Sequence, residues 1–126
     1  MFLLDTHALV WAINQPELLS PNVAAIVESG DILVSAASLW ELLIKKDRKD
    51  APIKNPNSWW QHYITLAGVQ VLAIQACHIR LLETLPPAHK DPFDRILICQ
   101  SIYQGIPLVT NDQAIHGYEA VVSLIW

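Results

Sequence analysis

Short, largely apolar segments alternate with helix-like segments along this chain. Strands of this kind are buried on both faces and are typical of parallel sheets, whose crossover connections are helices. The pattern therefore predicts an α/β fold in which helices cover both faces of a parallel sheet. The five predicted strands are FLLDT (2–6), ILVSA (32–36), VQVLAI (69–74), IPLVT (106–110) and AVVSLIW (120–126).

The segments between these strands carry the start and stop signals of helices. Asp91 and Pro92 open one helix, with proline at its first position, and Gly105 closes it. In SLWELLIKK, Ser38 and Glu41 have the spacing of a capping box. The predicted helices cover residues 7–13, 16 or 20 to 30, 38–46, 59–67, 76–85 and 92–105, and the polar residues 47–57 are predicted to form a loop.

Composition excludes several classes of protein. The chain has 126 residues, of which 52% are apolar and 16% charged, so we expect a single domain, residues 1–126, and not a disordered chain. The net charge of −4 excludes a polycation that coats nucleic acid by charge alone. Cys77 and Cys99 show no CxxC spacing, which predicts free, buried thiols in a reducing compartment. With no targeting segment or membrane span in the sequence, we expect a cytoplasmic protein.

Four acidic residues fall where the predicted strands end. Asp5 closes the first strand, and Asp112 follows the fourth by two residues. Glu41 lies in the helix after the second strand, and Asp94 lies in the first turn of the Pro92 helix. Each of them alone is explained as a helix cap or as a favourable charge at a helix N-terminus. Ligands of open α/β sheets bind at the carboxyl ends of the strands, so we expect these four side chains to meet there.

Four carboxylates on one rim repel one another unless a cation lies between them. Carboxylate oxygens are the donors that hard divalent ions take, which predicts a Mg²⁺ or Mn²⁺ site. Such ions bind the oxygens of an anionic phosphodiester and lower the pKa of a bound water. The sequence therefore predicts metal-assisted phosphodiester hydrolysis.

Four motifs resemble those of the PIN-domain ribonucleases, and more narrowly the VapC-type toxins of bacterial toxin–antitoxin pairs. They are LLDTHALVW, SAASLWELLIK, DPFDRILICQS and LVTNDQAI, and the resemblance extends over nearly the whole chain. It implies a sandwich of helices around a five-stranded parallel sheet. It also implies RNA cleavage with Mg²⁺ or Mn²⁺, a cognate antitoxin that blocks the site, and a homodimer.

The resemblance assigns the catalytic and metal-binding roles to Asp5, Glu41, Asp94 and Asp112. Asp91 is a second candidate for the third acid, because DPFD offers two carboxylates one helical turn apart; Asp94 is favoured because it leads directly into ILICQS. Beside the acids, Thr6 and Thr110 are candidates to orient a water or a phosphate oxygen. Lys45 is expected either to pair with Glu41, four residues before it, or to contact a phosphate.

Two departures from the family pattern concern the substrate path. Asn111 stands where the fourth motif often carries a basic residue, and the segment after Lys45 is more charged and richer in proline. The alternative function is a PIN-like module that binds RNA or a partner without cutting. The presence of all four acids favours the enzyme.

Aromatic residues are expected to divide between core and surface. Trp11 and Trp40 lie on predicted helices beside the core and are interpreted as packing residues. Trp59 and Trp60 are adjacent, and two adjacent helical residues do not both face inward, so one of them is expected to be either partly buried, which is favoured, or exposed. His7 adjoins Asp5 and is a candidate substrate contact, whereas His78, His89 and His116 are interpreted as surface or capping residues.

Overall fold

Five parallel strands form the centre of the computed structural model, which describes all residues from Met1 to Trp126. The strands are β1 (Phe2–Leu4), β2 (Ile32–Ser35), β3 (Val71–Leu72), β4 (Leu108–Val109) and β5 (Leu124–Ile125). The helices are α1 (Thr6–Asn14), α2 (Pro21–Ser29), α3 (Ala36–Lys45), α4 (Pro56–Trp60), α5 (Ala76–Arg80) and α6 (Pro92–Gln104). Short 3₁₀ turns cover Pro16–Leu18, Leu81–Glu83 and Gln113–Tyr118, and a π-helical turn covers Gln61–Thr65.

Each face of the sheet builds its own core, as a three-layer sandwich requires. Successive strand residues point to opposite faces, so Leu3 and Leu4 of β1 enter different apolar clusters. Leu3 lies in one cluster with Leu97 of α6, and Leu4 lies in the other with Leu9 of α1. The predicted α/β/α architecture with a parallel five-stranded sheet is confirmed.

The strand order β3-β2-β1-β4-β5 places the switch point of the sheet between β1 and β4. The chain winds one way from β1 through β2 to β3, and the other way from β4 to β5. Because the strands are parallel, their carboxyl ends lie on one rim. The crevice at such a switch point is where open α/β sheets bind ligands. Asp5 and Asp112 follow the two strands that flank it.

Several elements are shorter than the sequence predicts. The last three strands have two residues each, because only two residues of each apolar run pair with a neighbouring strand. The expected helix over residues 59–67 begins earlier, at Pro56, and continues as the π-helical turn. The helix from Ala76 ends at Arg80 and tightens into a 3₁₀ turn.

The capping box expected from Ser38 and Glu41 is wrong. The helix begins before Ser38, and Ser35 caps it by accepting a hydrogen bond from the Ala37 N–H. Ser38 therefore lies inside α3, buried, where its hydroxyl accepts a hydrogen bond from Thr6 at 3.0 Å. Glu41 therefore does not cap this helix.

Three side-chain placements also differ from expectation. Trp59 and Trp60 are both buried, because Trp59 packs toward α1, where its Nε1 donates to Asn14 Oδ1, while Trp60 enters the same apolar cluster. Trp40 is 52% exposed and makes an edge contact with Phe93 at its margin, so it is not a core residue. Cys99 in α6 is buried, whereas Cys77 in α5 is only partly buried.

No helix of this chain combines the length and the apolar character that crossing a bilayer requires.

Candidate active site

Asp5 and Asp112 stand at the switch point and each caps the element that follows it. Asp5 is 2% exposed and accepts a hydrogen bond from the Ala8 N–H at 2.8 Å. Burial raises the pKa of Asp5, the Thr110 hydroxyl and the Ala8 N–H lower it, and the nearby charge of Asp112 raises it. Asp112 accepts from the Ala114 N–H at 2.9 Å and begins the 3₁₀ turn. Each carboxylate keeps one oxygen outside its cap.

Glu41 is a buried carboxylate with one oxygen paired and one without a partner. It is 4% exposed, and its Oε2 lies 2.5 Å from Lys45 Nζ, one helical turn later. Its Oε1 is buried without any hydrogen-bond partner. A buried carboxylate oxygen in that state costs free energy, because desolvation is not compensated. Lys45 is expected either to pair with Glu41 or to contact a phosphate, and in the structure it pairs with Glu41.

Asp94 joins the cluster from the first turn of α6. The pKa of Asp94 is raised to about 6, mainly by burial and also by the charges of Asp91, Glu41 and Asp5, while a hydrogen bond from His89 opposes the rise. The pKa of Asp94 thus responds to both Asp5 and Glu41, which places the three carboxylates in one electrostatic cluster. Charges that repel in this way favour a bound cation.

Asp91 caps the N-terminus of α6. Its Oδ1 accepts the N–H groups of Phe93 at 2.8 Å and of Asp94 at 3.2 Å, so it is the N-cap of α6. Pro92 occupies the first helical position, as predicted. Between the two candidates for the third acid, the structure gives Asp91 the cap and directs Asp94 toward the other carboxylates.

His89 belongs to the site although the sequence interpretation placed it on the surface. Its Nε2 lies 2.9 Å from Asp94 Oδ2, and both side chains are mostly buried. A ring nitrogen of His89 and one oxygen each from Asp94 and Asp112 lie within 4.8 Å of one another. No local spacing reveals this, because loop 84–91 folds His89 back over the start of α6.

The two threonines fill structural roles around the acids. Thr6 donates its hydroxyl to Ser38, which ties the start of α1 to α3. The Thr110 hydroxyl lies beside Asp5 and accepts the Asp112 N–H at 3.1 Å. Thr110 therefore links the two acids that flank the switch point.

The donor set fits a hard divalent cation. The four acids offer carboxylate oxygen donors, one of them a buried oxygen without a partner, and the His89 ring contacts Asp94 beside them. Oxygen-rich sets of this kind suit Mg²⁺ and Mn²⁺. Burial and, after it, the charges of neighbouring acids raise the pKa values of Asp5 and Asp94, and a cation would offset that repulsion.

The family model described as "PIN domain" matches residues 2–120 of this sequence. The chain belongs to the PIN domain family. This PIN domain is also 28% identical over 121 residues to a protein named Ribonuclease VapC22 from Mycobacterium tuberculosis (strain ATCC 25618 / H37Rv). That alignment covers 92% of this chain and 90% of the relative.

Solved structures share the fold of this PIN domain at low sequence identity. VapBC2 from Rickettsia felis, bound to a DNA fragment from its promoter, matches with a TM-score of 0.71 and 19% identity, covering 99% of this chain and 98% of that one. FitAcB from Neisseria gonorrhoeae matches with a TM-score of 0.70 and 16% identity, covering 100% and 97%. VapBC from Salmonella typhimurium, bound to DNA, matches with a TM-score of 0.71 and 16% identity, covering 98% and 96%.

Proposed function

We propose that this PIN domain is a Mg²⁺- or Mn²⁺-dependent endoribonuclease, a toxin of the VapC type that a cognate antitoxin neutralises. The observation that carries the proposal is the buried Glu41 Oε1, an unpartnered carboxylate oxygen in a cluster of acids at the switch point. The similarity to Ribonuclease VapC22 over nearly the whole chain supports RNA as the substrate.

Asp5, Glu41, Asp94 and Asp112 would hold the metal, and Asp91 would remain the cap of α6. When bound, a divalent ion supplies the positive charge that admits a phosphodiester and lowers the pKa of an attacking water. Residues of the chain already hold these carboxylates in position. Caps fix the carboxyl groups of Asp5 and Asp112, and Lys45 neutralises part of the charge of Glu41.

The proposal includes an antitoxin partner and a homodimer. The likeness in fold to the VapBC2 and VapBC structures supports the partner. A dimer is expected from the family resemblance alone. Size-exclusion chromatography with light scattering, on the chain alone and with its co-expressed antitoxin, measures both.

The decisive experiment is cleavage of a mixed RNA pool by the purified chain with Mn²⁺, with EDTA, and by the variant Asp5→Asn. Asparagine keeps the oxygen that caps α1 and removes the charge, so the fold is preserved better than by alanine. We expect cutting with Mn²⁺ that EDTA and Asp5→Asn both abolish. Glu28→Gln, which changes an exposed acid of α2 far from the rim, is the matched control and should cut normally.

Absence of cutting by folded wild-type chain with Mn²⁺ would instead favour the alternative, a silent module that binds RNA or a partner. Circular dichroism of each variant separates that result from loss of fold.

A further inference from the structure

Beside the carboxylates lies an open cleft of about 260 Å³, lined by Asp5, His7, Trp11, Asn111 and Asp112. Two of its five lining residues are proposed metal ligands, and the others are two aromatic rings and an amide. A larger cleft of about 450 Å³, between Asn14 and the segment around Trp59, contains none of the acids. The smaller cleft is thus continuous with the proposed reaction centre.

The aromatic wall of the cleft is built by α1. His7 and Trp11 are four residues apart and therefore share one face of the helix, directly after Asp5. Trp126, directly after β5, supports Trp11 in an edge contact with ring centres 5.8 Å apart. The ring of His7 is tilted by 39° at 6.0 Å from that of Trp11. Neither neighbour is stacked parallel on the Trp11 ring.

The chemistry of this wall suits a nucleobase. Bases stack on aromatic side chains whatever their identity, and the Asn111 amide offers both donors and an acceptor to the edge of a base. A base is uncharged, so it tolerates Asp5 and Asp112, whereas a second phosphate would be repelled. The volume lies below the roughly 300–1,000 Å³ of pockets for drug-sized ligands, which favours a single planar ring system.

We propose that this cleft binds the base of the nucleotide that adjoins the scissile phosphate, stacked against Trp11 with His7 beside it and Asn111 at its edge. This inference rests on the proposed function, since it assigns a base subsite to the same site. It gives Trp11 a role that core packing does not require. It also explains why the position after Thr110 carries Asn111: an amide there contacts a base, where a basic residue would contact a phosphate.

The test is a binding experiment that needs no cleavage. Short, fluorescein-labelled homopolymeric RNAs of each base are titrated by anisotropy in Ca²⁺, alongside a ribose–phosphate oligomer of equal length without bases. The proteins are wild type, Trp11→Leu and Tyr103→Leu, the last changing an exposed aromatic residue of α6 outside the cleft. Mapped cleavage in Mn²⁺ tests the proposed function separately.

We expect wild type and Tyr103→Leu to bind at least one RNA about 5- to 150-fold more tightly than the base-free oligomer, the range for one stacked base. Trp11→Leu should lose that preference while binding the base-free oligomer as wild type does. Equal preference in Trp11→Leu and wild type would overturn the proposal.

A general loss in Trp11→Leu, equal for RNA and base-free oligomer, would also overturn it, because Trp11 would then only support the carboxylates. His7→Ala and Asn111→Ala, both exposed positions, guard against a folding defect in Trp11→Leu. At least one of them should reduce the preference for bases if the subsite exists.

Discussion

His89 Nε2 lies 2.9 Å from Asp94 Oδ2, across the turn that opens α6. An ionised carboxylate only accepts hydrogen bonds, so Nε2 carries the proton and the imidazole donates. This bond orients the Asp94 carboxyl group toward the other acids. Partners that fix the orientation of a metal ligand typically contribute 10- to 100-fold to metal affinity.

His89→Ala should therefore weaken Mn²⁺ binding by about 10-fold or more while the chain remains folded. Isothermal titration with Mn²⁺ measures the affinity directly, without RNA. His116→Ala, which removes an exposed histidine that contacts Glu119, is the matched control and should bind Mn²⁺ normally. An unchanged affinity in His89→Ala would mean that Asp94 needs no such support.

Loop 84–91, which carries His89, is held by contacts from distant parts of the chain. Arg95 donates to the carbonyls of Pro86 and His89 and to the Tyr118 hydroxyl, and the His89 N–H also donates to that hydroxyl. Gly117 also lies close to this loop, because a Cβ at this position would lie 2.9 Å from Ala88 Cβ.

Gly117→Ala should destabilise the protein by about 1–3 kcal/mol, because two short side chains would overlap and the backbone of the loop would have to move. Urea unfolding measures the change. The double variant Gly117→Ala/Ala88→Gly removes the opposing methyl group and should recover most of the loss. If the double variant is no more stable than Gly117→Ala, the close approach to Ala88 is not the cause.

Local sequence signals predicted the strands and helices. The positions of the side chains in the candidate site depend instead on contacts between distant elements. The strands and the start and end of α6 follow from apolar runs, from Pro92 and from Gly105, all of which act within a few residues. The role of Asp91 as N-cap is likewise local. The position of His89 could not be predicted from local sequence, because it depends on hydrogen bonds of the His89 backbone with Arg95 and Tyr118.

The same distinction explains the tryptophans and the capping box. Helical periodicity alone separates Trp59 from Trp60, but both side chains enter one apolar cluster, which also holds side chains of α1 and α3. Ser38 and Glu41 match a capping box by spacing, yet β2 continues to Ser35 and the helix begins directly after it. In both cases the tertiary context overrode a correct local pattern.

The acid cluster predicts an unusual dependence of stability on pH in metal-free protein. The pKa of Asp94 rises from 3.8 to about 6 on folding, and that of Asp5 also rises. Between about pH 4 and 6 the folded state therefore binds more protons than the unfolded state, and the free energy of unfolding falls as pH increases. Asp94→Asn should flatten this decline.

Thermal melts in EDTA from pH 4 to 7 measure the difference between wild type and Asp94→Asn. Comparing the two cancels other titrating groups, such as His78, whose pKa burial lowers and whose contribution has the opposite slope. The variant should gain stability relative to wild type as pH rises, and saturating Mn²⁺ should remove the advantage at pH 7. Parallel curves in EDTA would contradict the shift at Asp94.

Lys45 is the cation on which the buried carboxylate of Glu41 depends in the absence of metal. Its Nζ lies 2.5 Å from Glu41 Oε2, and its side chain is only 23% exposed. Removing one partner of a buried pair leaves an uncompensated charge, which typically costs 3–5 kcal/mol. Because Lys45 is partly exposed, we expect Lys45→Met to lose about 3 kcal/mol in EDTA by urea unfolding.

Lys46→Met is the control, because Lys46 pairs with Asp47 on the surface and should change stability by less than about 1 kcal/mol. Glu41→Gln/Lys45→Met removes both charges and should recover most of the loss. Mn²⁺ should stabilise Lys45→Met more than wild type, since the ion replaces the missing positive charge beside Glu41. Equal stabilisation of the two proteins by Mn²⁺ would show that the Lys45–Glu41 pair does not contribute to the proposed metal site.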